Sequence, residues 1–298
     1  MLGRSIPVTS WMGEVHFSEG DGSLTARLFP PIPSDTVKAV RPVFGESNFY
    51  VVTGDLANQL FNGLMLCTPK QAGQKPARTL AELYLITIFQ YLETMPDSQA
   101  ADAMRYRRDW KYALHMPLNV LGFPTSAFCE FRRLLLSDQD SLQSLQTLLG
   151  RLAEVGASIN GESLSMEAGQ IVTRVCLLSR LANIQEAFSQ ALQALAIMRP
   201  DWLRLHSLPH WYERYSSLHT DQYLGADPSE QERLAQAIGA DGFYLLEAVA
   251  STEELKDLPE VHTLNQVWRE QFDPIYLEGV KLYPYCYFCG ITQFKEGG

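Results

Sequence analysis

No stretch of the chain is apolar for the roughly 18 residues that a bilayer span needs; its apolar runs are short, as at Leu134-Leu135-Leu136. A membrane helix is therefore excluded. The first residues, Met1-Leu2-Gly3-Arg4-Ser5-Ile6-Pro7, carry one basic group with no apolar stretch behind it, which is not the pattern of a secretory signal. The cytoplasm is the expected compartment. Cysteine is scarce: Cys67, Cys129, Cys176, Cys286 and Cys289 form an odd, scattered set, unlike a secreted disulfide framework, and are expected as reduced thiols. Histidine is hardly more common, at six residues. His206 and His210 are the one spaced pair, and they lie far upstream of Cys286-x-x-Cys289. A structural zinc needs four ligands, no second cysteine pair exists, and so neither metal nor other cofactor is expected. No period of fixed length repeats, which argues against a solenoid.

Positive charge is also short, at 24 Lys and Arg against 34 Asp and Glu, for a net −10. Taken alone this opposes nucleic-acid binding, because phosphate contacts need local positive potential. The distribution changes the conclusion. Residues 221–260 hold ten acidic groups and only Arg233 and Lys256 as basic ones. Between Ser98 and Arg133 six basic residues (Arg105, Arg107, Arg108, Lys111, Arg132, Arg133) stand against Asp102, Asp109 and Glu130. A basic patch can thus exist on an acidic chain.

What the sequence does have is the composition of a folded protein, 46% hydrophobic and 19% charged, and enough length for one large domain or two ordinary ones. Residues 1–28 read as an irregular arm or a short hairpin, with a turn at Gly20-Asp21-Gly22. Phe29-Pro30-Pro31-Ile32-Pro33 resists helix, and residues 68–76 read as an exposed linker. From Thr79, a plausible N-cap, Leu80, Leu83, Tyr84, Ile88, Tyr91 and Leu92 recur at helical spacing. Pro96 ends that helix, Asp97 or Ser98 caps the next over Gln99 to about Arg107, and Trp110–Leu114 forms a short one. Thr125 or Ser126 caps a helix over Ala127–Leu136 that buries Phe128, Phe131, Leu134 and Leu135. After a loop at Gly156–Ser163 comes a long helix with Leu181, Ile184, Phe188, Leu192 and Leu195 on one face, closed by Pro200. Ser229-Glu230-Gln231-Glu232 is a capping box for a helix expected to stop at Gly239, and Ser251–Glu254 repeats that signature. The predicted class is mainly α: an arm and linker (1–77), a helix-turn-helix-like bundle (78–155) and a second helical domain with an aromatic tail (156–298).

Arg78-Thr79-Leu80-Ala81-Glu82-Leu83, Asp97-Ser98-Gln99-Ala100-Ala101-Asp102-Ala103, Asp109-Trp110-Lys111-Tyr112-Ala113-Leu114, Gly122-Phe123 and Phe131-Arg132 together resemble the N-terminal part of DDE transposases from bacterial insertion sequences, a class of mobile genetic element. The similarity is strongest over 78–134 and extends from about Leu28 to Trp268. In that family this region recognises terminal inverted repeats and dimerises. The resemblance implies that Ala127–Leu136 is a recognition helix, with Thr125 and Ser126 at its start and Arg132 and Arg133 beyond. Helix N-termini welcome phosphates, and the first residues of a recognition helix read bases. Arg105, Arg107, Arg108 and Lys111 would hold flanking phosphates. Read without the resemblance, Trp110 and Tyr112 are core aromatics and the arginines a solvated face. Glu130 is a counter-signal, since a carboxylate repels phosphate.

The family's nuclease site uses three carboxylates around two metal ions. The resemblance places Glu167, in Ser165-Met166-Glu167-Ala168, at the first of them, an aspartate on an early strand of a ribonuclease-H-like sheet. A glutamate shifts the ligand oxygen by roughly 1.5 Å where metal sites tolerate about 0.5 Å. Residues 181–268 resemble the helical insertion that follows that strand, and the tail, Tyr283-Pro284-Tyr285-Cys286-Tyr287-Phe288, does not resemble the strands bearing the other two carboxylates. At most a remnant of sheet is expected, near 160–172. The acidic residues of 221–260 read as solvated helix faces. The expected function is a DNA-binding, transposase-derived protein without a complete catalytic site, acting as a regulator or recognition subunit on duplex DNA. A split transposase completed in trans is one alternative. Another is an interaction scaffold whose acidic helical domain meets a second copy or another protein.

Overall fold

The computed structural model describes residues 27–66, 77–154, 167–215 and 228–273, with two-residue stretches at 281–282, 285–286 and 291–292. The protein is mainly α-helical, as expected. Asn48 caps α2 (Phe49–Leu60) by accepting from the amides of Tyr50 and Val51. Before it, α1 (Ser34–Phe44) begins where the proline run ends and stops at Gly45, whose φ of 73° suits glycine. Neither helix is a loose arm. Phe29, Phe49, Tyr50, Ala57, Leu60 and Phe61 share one apolar core with the helices that follow. The segment read as arm and linker therefore contributes to that core through Phe29 and α2, while Val40 of α1 packs in a smaller cluster with Val51 and Tyr112.

The centre of this first core is α3 (Ala77–Leu92), buried continuously from Leu80 to Gln90. A helix apolar on all sides belongs inside a bundle rather than on its surface. Thr79 lies within its first turn instead of capping it. Around it stand α4 (Asp97–Tyr106), α5 (Arg108–Ala113), α6 (Thr125–Ser137) and α7 (Gln139–Glu154). The α5–α6 connection spans residues 114–124, longer than a three- or four-residue helix-turn-helix turn. The expected loop at 156–163 lies outside the described residues.

The next helix, α8 (Ala168–Met198), has 31 residues and spans roughly 46 Å at 1.5 Å per residue. Its start, Ala168, Ile171 and Val172, packs into the first core, whereas Ile184, Phe188 and Leu195 enter a second one. One helix thus serves both cores. The second core is completed by α9 (Pro200–His206), α10 (Trp211–Tyr215), α11 (Pro228–Ala250), α12 (Glu253–Lys256) and α13 (Pro259–Gln271). Arg180, 2% exposed, fastens α8 to the end of α13 by donating to the side-chain and main-chain oxygens of Gln271 at 2.6 and 3.0 Å.

Two expectations need correction. Helix α11 does not stop at Gly239 but runs on to Ala250; Gly242, one turn on, makes room for the Trp268 ring, whose N–H donates to the Gly239 carbonyl. Nor is residue 167 on a strand. Glu167 is the exposed N-cap of α8, and 168–172 are helical. Residues 160–166 lie outside the described residues. The extended pairs are β1 (Phe272–Asp273) with β2 (Lys281–Leu282) and β3 (Tyr285–Cys286) with β4 (Ile291–Thr292), each antiparallel and two residues long.

Candidate nucleic-acid interface

Helices α4 and α6 lie antiparallel, as two contacts at opposite ends establish. At one end Arg132, in the third turn of α6, grips Asp97, the first residue of α4, with paired bonds of 2.8 and 2.6 Å. At the other, Gly122, just before α6, sits so close to Met104 near the end of α4 that a Cβ there would lie 2.6 Å from its terminal methyl carbon. Thr125 and Ser126 are therefore placed at the same end of the bundle as Arg105, Arg107 and Arg108.

The six basic residues that the sequence groups together separate into two sets. Arg132 is 1% exposed. Burial works against its charge, but Asp97 outweighs burial and holds the guanidinium protonated. Burial likewise would raise the Asp97 carboxyl, yet Arg132 and a 2.8 Å bond from Gln90 keep it below the usual carboxylate range. This pair joins α3, α4 and α6, and the Asp97 amide donates to Ser179 of α8 at 3.2 Å. Lys111 is 2% exposed and donates to the Val120 carbonyl at 2.5 Å, with burial lowering its pKa. Neither Arg132 nor Lys111 is presented to a phosphate, so both are withdrawn from the expected contact set. Helical spacing held the signal for Arg132. Phe128, Phe131, Arg132 and Leu135 form an i, i+3, i+4, i+7 stripe, and all four are buried.

Arg107 is half-buried and engaged on two sides. It donates to Asp109 at 3.1 and 2.6 Å and to Glu93, while lying over the rings of Tyr50 and Trp110 at 5.1 and 5.4 Å. Trp110 and Tyr112 are fully buried core aromatics. Arg105 pairs with exposed Asp102 at 3.3 Å and lies 5.8 Å from the ring of Tyr106, itself 73% exposed. Arg108, Thr125, Ser126 and Arg133 are exposed, as is Glu130. Pro124 is the N-cap of α6, no side chain caps its amides, and its first turn carries no acidic residue. Unsatisfied amides at a helix start, with the dipole behind them, favour an anion.

Among the described residues, no group of three or more His, Cys, Asp or Glu is arranged to hold a metal ion. Glu167 stands at a helix cap, and His206 and His210 serve different partners. His206 stacks on Trp202 and bonds its carbonyl, whereas His210 meets Asp241 at 3.1 Å. Cys289 lies outside the described residues, as does the side chain of Cys286. Sequence reasoning missed Asp241, which read as one of many solvated carboxylates. Its side chain is 6% exposed and accepts from Tyr215 at 2.8 Å and from Arg214, besides facing His210. Burial and the Asp241 charge push the Tyr215 phenol far up. The Asp241 partners Arg214 and Tyr215 are 27 and 26 residues away, a separation that no local period reports.

Comparison of the chain with family models, with curated proteins and with solved structures returns no match. No helix among the described residues is long and apolar enough to cross a membrane.

Proposed function

We propose that the protein is a transposase-derived DNA-binding protein that meets duplex DNA with the end of the first bundle where α4 finishes and α6 begins. One observation carries the reading. The Gly122–Met104 contact seats the last turn of α4, which carries Arg105 and leads to Arg108, against the loop that enters α6, whose uncapped, acid-free first turn exposes Thr125 and Ser126. The arginines would hold phosphates, and the helix start would approach base edges. Arg133, two turns along α6, would extend the contact. The acidity of α11 does not forbid this, because at physiological salt the Debye length is about 8 Å and more distant charges are screened. Selection from a random duplex pool, followed by a salt titration of the selected site, tests the proposal. Binding whose log affinity falls with log salt supports it, and salt-independent or undetectable binding removes it.

A second reading, an interaction scaffold, is favoured by a different surface. Tyr212, 79% exposed, edges an open groove lined by Leu192, Leu203, Leu208 and Trp211, and Ile197 and Leu205, on the adjoining helices α8 and α9, are 81 and 82% exposed. Apolar side chains concentrated in this way mark contact surfaces. Sedimentation across a concentration series decides whether a second copy occupies it.

A further inference from the structure

Behind the exposed face of α6 lies a sulfur pair that the DNA reading does not use. Cys129 on α6 is half-buried, Cys176 on α8 is 7% exposed, and the two pack against each other beside Leu136. Both sit at the Asp97–Arg132 ion pair. Cys129 Sγ donates to Asp97 Oδ2 at 3.4 Å and accepts from Arg132 Nη2 at 3.5 Å. The Arg132 Nε–H is also buried and finds no acceptor among the described residues. The site therefore holds two adjoining thiols, a fixed cation and an unused buried donor. The Arg132 cation favours the nucleophilic thiolate against the opposing charge of Asp97, and the spare N–H of Arg132 is an acceptor's natural partner.

We propose that Cys129 and Cys176 are a redox-active dithiol that low-molecular-weight disulfides oxidise to a bond stapling α6 to α8. Cys129, the more accessible sulfur, loses its proton to solvent and attacks the reagent. One S–S bond breaks, a mixed disulfide forms at Cys129, and one small thiolate leaves and takes up a proton. Cys176, losing its own proton, then attacks Cys129 Sγ. The mixed disulfide breaks, the second small thiol departs, and the intramolecular bond remains. Overall the protein gives up two electrons and two protons, and one molecule of small disulfide becomes two thiols. Because α6 and α8 already meet here, the bond joins surfaces that are in contact before oxidation.

The test uses hydroxyethyl disulfide on a chain carrying Cys67→Ser, Cys286→Ser and Cys289→Ser, without denaturant. Both remaining thiols should disappear together, the intact mass should retain no reagent, and peptide mapping should find Cys129 joined to Cys176. Dithiothreitol should restore both thiols. Adding Cys129→Ser should slow the reaction of Cys176 at least about tenfold, since the buried sulfur then meets the reagent alone. A stable adduct on Cys129 with Cys176 still free overturns the proposal, as does a link that forms only after unfolding. Mapping the unsubstituted chain after the same oxidation requires no variant to fold, and absence of the 129–176 link there has the same force.

Discussion

Gly242 on α11 lies flat against the ring of Trp268 on α13: a Cβ at that glycine would fall 1.8 Å from the ring carbon Cε2. The indole N–H completes the contact by donating to the Gly239 carbonyl at 3.0 Å. Trp268 is fully buried and touches Phe188 and Phe272, so this close approach sets how the second core closes.

Gly242→Ala should therefore destabilise the protein. Alanine gains up to about 1 kcal/mol in helix propensity, but ring atoms on a buried tryptophan cannot yield 1–2 Å cheaply. Overpacking of this kind costs about 1–3 kcal/mol, and here the upper end or more is expected. Gly150 in α7 is the control, because a Cβ there meets nothing within 4 Å. Gly150→Ala should stabilise by about 0.5–1 kcal/mol. Urea unfolding of the two variants checks both signs.

Breaking the Asp97–Arg132 pair should be more costly than removing it. Arg132→Ala leaves a buried carboxylate without its cation, a loss of about 3–5 kcal/mol, whereas Asp97→Leu with Arg132→Met removes both charges and should cost less than the single change. Folded Asp97 has a depressed pKa. Its contribution is therefore present above the unfolded value of about 3.9 and is lost as pH falls through the folded one. Urea midpoints between pH 5 and pH 2 should show a shallower acid decline in the double variant.

Glu82 predicts the opposite slope. Burial lifts its carboxyl from 4.5 to about 7, against the pull of Arg78 at 2.9 Å. A raised acid binds protons more tightly when folded, so the stability it confers is complete below about pH 4.5 and is lost as pH rises through 7. At 1.36 kcal/mol per unit, the loss is at most on the order of 3 kcal/mol. Glu82→Gln should remove this dependence and make the protein more stable than wild type at pH 8. An unchanged slope between pH 5 and pH 8 in the variant would exclude Glu82 as its source.

Those residues also show where sequence pattern reaches and where it stops. The apolar stripe of α6 was legible because Phe128, Phe131 and Leu135 repeat at the helical period, and the long α8 because Ile184, Phe188 and Leu195 do the same. Arg132 was assigned by its charge although its position lay on that stripe. Its partner Asp97 is 35 residues away, a separation that no local period reports. Lys111 was misplaced for a related reason: α5 is only six residues long and is buried from Asp109 to Ala113, so it has no solvent face over that stretch. Gly239 looks like a helix stop because glycine is the usual C′ residue, yet the helix runs through it, and at Gly242 the lack of a side chain admits another helix's tryptophan. The exposed members of the site, Arg105, Arg108, Thr125, Ser126 and Arg133, are those at which the solvated-face and DNA-contact readings coincide.

The start of α6 offers a change that separates binding from folding. Ser126 is exposed in a first turn without acidic residues or a side-chain cap. Ser126→Asp places a carboxylate at the positive end of the helix dipole, which should stabilise the fold by about 0.3–1 kcal/mol. The same carboxylate would face the phosphates that the proposed interface meets, so duplex affinity should fall. Arg105→Ala and Arg108→Ala should each reduce the salt slope of log affinity by about one and weaken all sequences alike, whereas Thr125→Ala should change which sequences are preferred. Thermal unfolding and a salt series of fluorescence-anisotropy titrations on the selected duplex measure the two effects on one preparation. If Ser126→Asp raises the unfolding midpoint and leaves affinity unchanged, the start of α6 does not face DNA, and the exposed apolar surface around Leu205 and Tyr212 becomes the better account of what the protein binds.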